Sequence, residues 1–161
     1  MKTIMKTLTL LLATAVSTAA ADDAQGVILT LSSTTQPDVM TEFTLVELEA
    51  LGEGQFTTTT IWTTGPQTFS GISLDVFLAS QGIESGTILA SAINDYTVEI
   101  PVSDATDDGP MIAYRLNGEE MSIRDKGPLW IVYPYDSKTD YQAEVIYSRS
   151  IWQLDRITIA N

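Results

Sequence analysis

Apolar residues recur with a helical spacing at two places in this chain, and both places predict a short helix. Thr44 and Glu47 have the spacing of a capping box, in which each side chain bonds the backbone amide of the other residue. Leucines follow at positions 45, 48 and 51. The pattern predicts a helix over 44–51 that ends at Gly52. A second short helix is predicted after Ser73, with apolar residues at 74, 77 and 78 facing inward.

Alternating or unbroken apolar runs predict about seven strands in the rest of the chain. The clearest of these predicted strands cover 27–31, 55–63, 96–100, 111–116, 129–133 and 156–159, the last after a helical turn from 151. Asn117-Gly118 is the sequence of a tight hairpin turn. Short helices among many strands, without a regular strand–helix–strand rhythm, predict one compact α+β domain. Its sheet is expected to be mixed or mostly antiparallel.

The first 21 residues have the layout of a secretory signal peptide. Lys2 and Lys6 precede the apolar run Leu8–Val16, and the small residues of Ser17–Ala21 follow. The run is too short to cross a bilayer, which needs about 20 residues. The alternative is a short N-terminal core helix. We expect a leader over 1–21, a domain over 22–161 and a periplasmic location, with no membrane insertion after cleavage.

Composition narrows the chemistry that this chain can perform. The 161 residues carry a formal net charge of −13 and contain neither histidine nor cysteine. Loss of Lys2 and Lys6 with the leader makes the charge more negative still. Nucleic acid binding is not expected, because it needs clustered Lys and Arg. The usual ligands of zinc, copper and haem are missing, and catalysis by Ser-His-Asp or Cys-His sets is excluded.

Five segments in order resemble the sulfite-oxidase-type molybdopterin-binding domain, in a small periplasmic branch without cysteine. The resembling segments are Thr68–Leu78, Ala92–Asp104, Ile112–Glu119, Gly127–Pro134 and Arg149–Leu154. The third is similar to the family's L-A-Y-x-x-N-G-E hairpin and the fourth to its G-x-P-L-R-x-V-x-P strand. The resemblance runs from about Phe43 to Ile159 and implies that family's fold, with molybdopterin as the cofactor that the fold carries elsewhere.

The chemistry of that family is interrupted at two positions of this chain. Where the resemblance implies a cysteine that ligates molybdenum, the sequence has Thr57–Thr60, and a threonine hydroxyl does not replace a soft thiolate. Trp130 stands where the family has an arginine. The basic residues left near the implied cofactor are Arg124, Lys126 and Arg149, which are the candidates for holding a pterin pyrophosphate. We expect no cofactor, with molybdopterin as the alternative.

Four further residues are candidates for binding a ligand or a partner. Asn94 and Asp95 form a polar cluster, for which turn formation is the alternative role. Tyr135 and Trp152 lie at element ends, where rings can face a cleft rather than the core. The acidic loop 104–109 does not have calcium-loop spacing and is interpreted as a solvated loop.

These observations favour a non-catalytic binding module over an enzyme. The expected partner is a small anionic ligand or a periplasmic or membrane sensor protein. The alternative is a molybdopterin-dependent oxidoreductase in which molybdenum has no thiolate ligand.

Overall fold

The computed structural model describes residues 26–160. The predicted leader over 1–21 lies outside these residues, so it stays a prediction, as does the boundary of the domain at residue 22. Within 26–160, no helix has both the length and the apolar character needed to cross a membrane.

Ten strands and three short helices make up the described chain. The strands are β1 Leu29–Ser33, β2 Gln36–Phe43, β3 Gly54–Thr58, β4 Gln67–Ser73, β5 Thr87–Ala92, β6 Thr97–Pro101, β7 Met111–Leu116, β8 Glu119–Glu120, β9 Leu129–Val132 and β10 Ile151–Ala160. The helices are α1 Leu45–Leu51, α2 Leu74–Ser80 and α3 Glu144–Ser148. The predicted α+β domain with a mixed sheet is confirmed.

The strands form one sheet in which β10 is the hub. The order of the main path is β2-β1-β10-β9-β7-β4-β3, while β5 joins β10 to β6 and β8 extends β7. Strand β10 is parallel to β1 and antiparallel to β5 and β9. Its first residues pair with β9 and its later residues with β1 and β5, so one long strand connects the two parts of the sheet.

Two local predictions are confirmed in detail. Thr44 and Glu47 form both bonds of the capping box at the start of α1. Asn117 and Gly118 have positive φ values of 53° and 85°, as a two-residue hairpin between β7 and β8 requires. Helix α2 begins where predicted, but the Ser73 hydroxyl bonds the Asp75 carboxylate and does not cap the helix, whose first amide, that of Leu74, donates to the Pro110 carbonyl at 2.9 Å.

Other predictions are corrected by the tertiary structure. The predicted strand 55–63 ends at Thr58, where the chain leaves the sheet. Residue 151 begins a strand and no helical turn, because the preceding helix is α3. Strand β2 was not predicted, since its side chains are exposed up to Phe43 and therefore carry no alternating pattern.

The core lies between the sheet and the helices α1 and α2. Phe43 and Phe77 meet edge to face with ring centroids 5.5 Å apart, beside the fully buried Leu48 and Leu74. Strand β9 is buried along its whole length, as its unbroken apolar run predicts. Its second residue, Trp130, belongs to the group of aromatic side chains beside the candidate site.

Candidate functional site

A pocket of about 500 Å³ opens beside the first residues of β10, where four parts of the chain meet. Its walls come from the loop after β3, the turn between β5 and β6, helix α3 and the first residues of β10. A hollow of similar volume, about 490 Å³, lies between β2 and the turn after α2, but no aromatic ring lines it. The first pocket is therefore the candidate site.

Aromatic rings form one continuous cluster from the core to this pocket. The ring of Trp62 lies at its centre, with centroid distances of 5.6 Å to Trp152, 5.9 Å to Tyr147 and 6.1 Å to both Trp130 and Tyr135. All four contacts are edge-to-face, the geometry that aromatic quadrupoles favour. We call these five residues the aromatic cluster. Three of them, Trp62, Tyr147 and Trp152, line the pocket.

Strand pairing brings two tryptophans of the aromatic cluster together. Trp130 on β9 lies directly opposite Trp152 on β10, so both side chains point to the same side of the sheet. Their ring centroids are 6.0 Å apart. Trp130 is fully buried and also contacts Phe69 edge to face at 5.2 Å. The pocket floor is thus continuous with the core.

Threonine hydroxyls and one carboxylate hold the loop that carries Trp62. The Asp136 carboxylate accepts bonds from the Thr59 amide at 2.6 Å and the Thr59 hydroxyl at 2.7 Å. The Asp136 amide in turn donates to the Thr58 hydroxyl at 3.0 Å. The bonds from Thr59 lower the pKa of Asp136. Thr60 accepts a bond from the Trp62 amide at 3.0 Å, which fixes the indole over the cluster.

Unusual backbone geometry concentrates around the pocket. Of the four non-glycine residues with left-handed backbone angles in the described chain, Asp95, Lys126 and Gln153 lie in or beside it. Gln153 is the extra residue of a bulge in β10, where the pairing with β9 shifts register after Trp152. The backbone amide of Gln153 donates to the Lys126 carbonyl at 3.1 Å, and its backbone carbonyl accepts from the Ile93 amide at 2.9 Å. Bulges and strained residues of this kind are typical of functional sites.

The polar groups of the pocket are few, and one of them is charged. Glu144, at the start of α3, is the single charged side chain of the lining that the structure describes. Ser148 and Ser150 contribute hydroxyls, and Asn94 and Gln153 contribute side-chain amides that already bond the Tyr96 amide and the Ile123 carbonyl. The Ser150 hydroxyl is hydrogen-bonded to that of Tyr135, whose pKa is raised above its ordinary value by burial.

Two of the four predicted ligand-binding residues, Asn94 and Trp152, line this pocket. Tyr135 lies beneath it as a buried member of the aromatic cluster. Asp95 is outside the lining, where its carboxylate pairs with Arg156 at 2.6 Å. Glu144 was not predicted, because the sequence gives no sign that the first residue of a short helix lines a pocket with two tryptophans.

None of the three predicted cofactor-binding cations lines the pocket. Arg124 is exposed in a short 3-10 turn. The Lys126 ammonium lies 5.9 Å from the ring centroid of Trp130. Arg149 donates to Asp104 at 2.7 Å, and the same carboxylate oxygen accepts the Tyr133 hydroxyl at 2.7 Å. The charge of Arg149 is thereby bound within the protein rather than offered to a ligand.

A comparison with protein families decides the relationship that this fold suggests. The family described as the oxidoreductase molybdopterin binding domain matches residues 29–138. The chain belongs to this family. The resemblance drawn from the sequence alone is thereby confirmed.

Solved structures show the same fold for this molybdopterin-binding-domain chain. The crystal structure of the sulfane dehydrogenase SoxCD from Paracoccus pantotrophus superposes with a TM-score of 0.62 at 18% sequence identity. The match covers 84% of this chain but 38% of the SoxCD chain, so the present chain spans less than half of that relative. No curated protein matches the sequence.

The residues at the site do not fit the molybdenum centre that the family name implies. Thr58 and Thr60 have hydroxyls that are already bonded within the loop, and an alcohol is a hard, protonated ligand. Trp130 stands where the sequence resemblance implies the family's arginine, and its buried indole N–H has no partner in the described chain. A pterin pyrophosphate would meet Glu144 and no lining cation.

Proposed function

We propose that this member of the molybdopterin-binding-domain family is a non-catalytic binding module that acts in the periplasm. Its role is to hold a small molecule in the aromatic pocket and to signal the bound state to a periplasmic or membrane sensor protein. The observation that carries the proposal is the aromatic cluster itself. Trp62 and Trp130 pack against each other at 6.1 Å in the region where the family resemblance implies a thiolate and an arginine.

Three features support binding rather than turnover. The pocket is largely apolar, with aromatic faces for contact area and a few amides for orientation, which is the make-up of a ligand site. Its backbone is held by the Gln153 bulge and by the Asp136 carboxylate, so the rings are fixed before a ligand arrives. In its lining, Glu144 has no second carboxylate, histidine or thiol beside it with which to form an acid–base pair.

The alternative of a molybdopterin oxidoreductase without thiolate ligation is tested directly by composition. The protein is to be purified from the periplasm of its own host, without denaturants, and analysed for molybdenum and for pterin released by oxidation. A family member that contains the cysteine, purified from the same cells, serves as the control for cofactor supply. We expect molybdenum and pterin at background in this protein and near one per chain in the control.

Near-stoichiometric molybdenum and pterin in the protein itself would refute the proposal. The sensor partner is tested separately by crosslinking in the periplasm, with Trp152→Leu as the variant that alters the pocket. We expect the crosslinking yield to depend on pocket occupancy, and a yield that is the same in the variant and the original protein would count against signalling through this pocket.

A further inference from the structure

The ligand class follows from the faces and the charge of the pocket. We propose that the pocket binds a small organic cation, a quaternary or protonated amine with apolar substituents. This inference rests on the proposed binding function and narrows it to one chemistry.

The aromatic rings that line the pocket favour a cationic ligand. Trp62, Tyr147 and Trp152 line the pocket from three elements, and Tyr96 stands at its mouth with 59% of its surface exposed. The negative faces of such rings attract cations, most strongly for tryptophan, and cages of several rings are a known way to bind quaternary ammonium groups. Apolar substituents on the nitrogen gain from the same rings through burial.

The negative charge around the pocket also favours a cationic ligand. Glu144 is the charged group of the described lining, and the chain as a whole carries −13. A cation is drawn to such a field, whereas an anion is repelled from it. The pocket therefore discriminates between ligands of the same shape by the sign of their charge.

Two cations beside the pocket are already in contact with protein groups. Arg156 donates to the Ala92 carbonyl at 3.4 Å at the pocket wall, but its charge pairs with Asp95 at 2.6 Å and Asp155 at 3.3 Å. Lys126 places its ammonium 5.9 Å from the Trp130 centroid, on the aromatic cluster itself. This contact is an internal example of the recognition that we propose for the ligand.

The test uses three probes of nearly equal shape and different charge. Choline is the cation, 3,3-dimethyl-1-butanol is its neutral isostere, and 3,3-dimethylbutanoate is the corresponding anion. The three tryptophans of the chain, Trp62, Trp130 and Trp152, are all in the aromatic cluster, so intrinsic fluorescence reports on the pocket without a label. Calorimetry provides an independent measure of affinity.

We expect choline to saturate the signal and to bind roughly tenfold more tightly than the neutral isostere, because cation–π contacts and Glu144 act on the charge alone. The anion is expected to give no saturable signal. Glu144→Gln should weaken the binding of choline roughly two- to fivefold, the range for an exposed charge, and leave the binding of the isostere unchanged. Glu119→Gln, the same charge change on the exposed strand β8, should alter neither.

Trp152→Leu separates ring chemistry from simple burial, because leucine keeps an apolar surface but has no π face. It should weaken choline more than the isostere. Equal affinities for choline and the isostere, or no saturable binding of choline at millimolar concentrations, would overturn the inference. Binding of the isostere without binding of choline would refute the proposed cation but would still agree with a binding module. Pterin and molybdenum in the purified protein would instead refute the proposed binding function itself.

Discussion

Replacing Arg149 with methionine tests whether this residue serves the fold or a ligand. Its guanidinium donates to Asp104 at 2.7 Å, and the same oxygen accepts the hydroxyl of the fully buried Tyr133. Arg149→Met keeps most of the side-chain volume but leaves the Asp104 carboxylate without its cation. We therefore expect the variant to fold with reduced stability.

The size of the effect follows from the partial burial of the pair. Hydrogen bonds to charged groups contribute about 1.5–3 kcal/mol, whereas fully exposed ion pairs contribute about 1 kcal/mol or less. Because the side chains of Arg149 and Asp104 are 23% and 17% exposed, we expect a loss of about 2 kcal/mol. For a domain of this size the loss corresponds to a fall in Tm of about 6 °C.

The assay is urea and thermal unfolding of Arg149→Met, Asp104→Asn and the double variant. If the pair acts as a unit, the double variant should cost less than the sum of the two single variants. Choline binding should be unchanged in Arg149→Met once the protein is folded. A variant of unaltered stability that loses affinity for an anion would refute this reasoning and return Arg149 to the role of a ligand-binding cation.

Three further predictions follow from local contacts. Gly71→Ala should lower the free energy of unfolding by about 3 kcal/mol, measured in urea, because a Cβ at this position would overlap the Ile112 carbonyl of the neighbouring strand. An unchanged free energy of unfolding would contradict the pairing of β4 with β7. Asp136→Asn should shift tryptophan emission to longer wavelength. In the original protein the same shift should appear only at a pH below the ordinary titration range of an aspartate, because the Thr59 bonds lower the pKa of Asp136 and persist until its carboxylate is protonated. An emission that does not change on acidification would contradict this role of Asp136. Stability should also fall as the pH rises above about 10, because burial and the bond to Asp104 raise the pKa of Tyr133 and the unfolded chain ionises first. Tyr133→Phe should reduce that alkaline loss, and an unchanged loss would place its cause elsewhere.

Local sequence signals predicted those parts of the fold that depend on neighbouring residues. The capping box of Thr44 and Glu47 and the turn at Asn117-Gly118 are complete within a few residues, so their structures follow from the sequence. The end of β3 does not. The strand propensity of 55–63 is high throughout, but the chain leaves the sheet at Thr58 because Asp136, far away in the sequence, bonds Thr59.

The candidate site was predicted only in part for the same reason. Asn94 and Trp152 were predicted to bind a ligand, since polar turns and terminal rings are typical of clefts, and both line the pocket. Arg124, Lys126 and Arg149 were predicted to bind a cofactor because of their positive charge, but the sequence does not show that Arg149 pairs with Asp104. Glu144 became a candidate only when the fold brought α3 against the tryptophans.

We propose that an aromatic pocket takes the place of the metal centre on this scaffold. Native mass spectrometry of the protein isolated from its own host tests the claim most directly, because it weighs the chain together with whatever it holds. We predict the mass of the processed chain, either bare or with one small ligand that gentle activation removes. A tightly held increment with the mass and isotope pattern of a molybdenum–pterin would contradict the account.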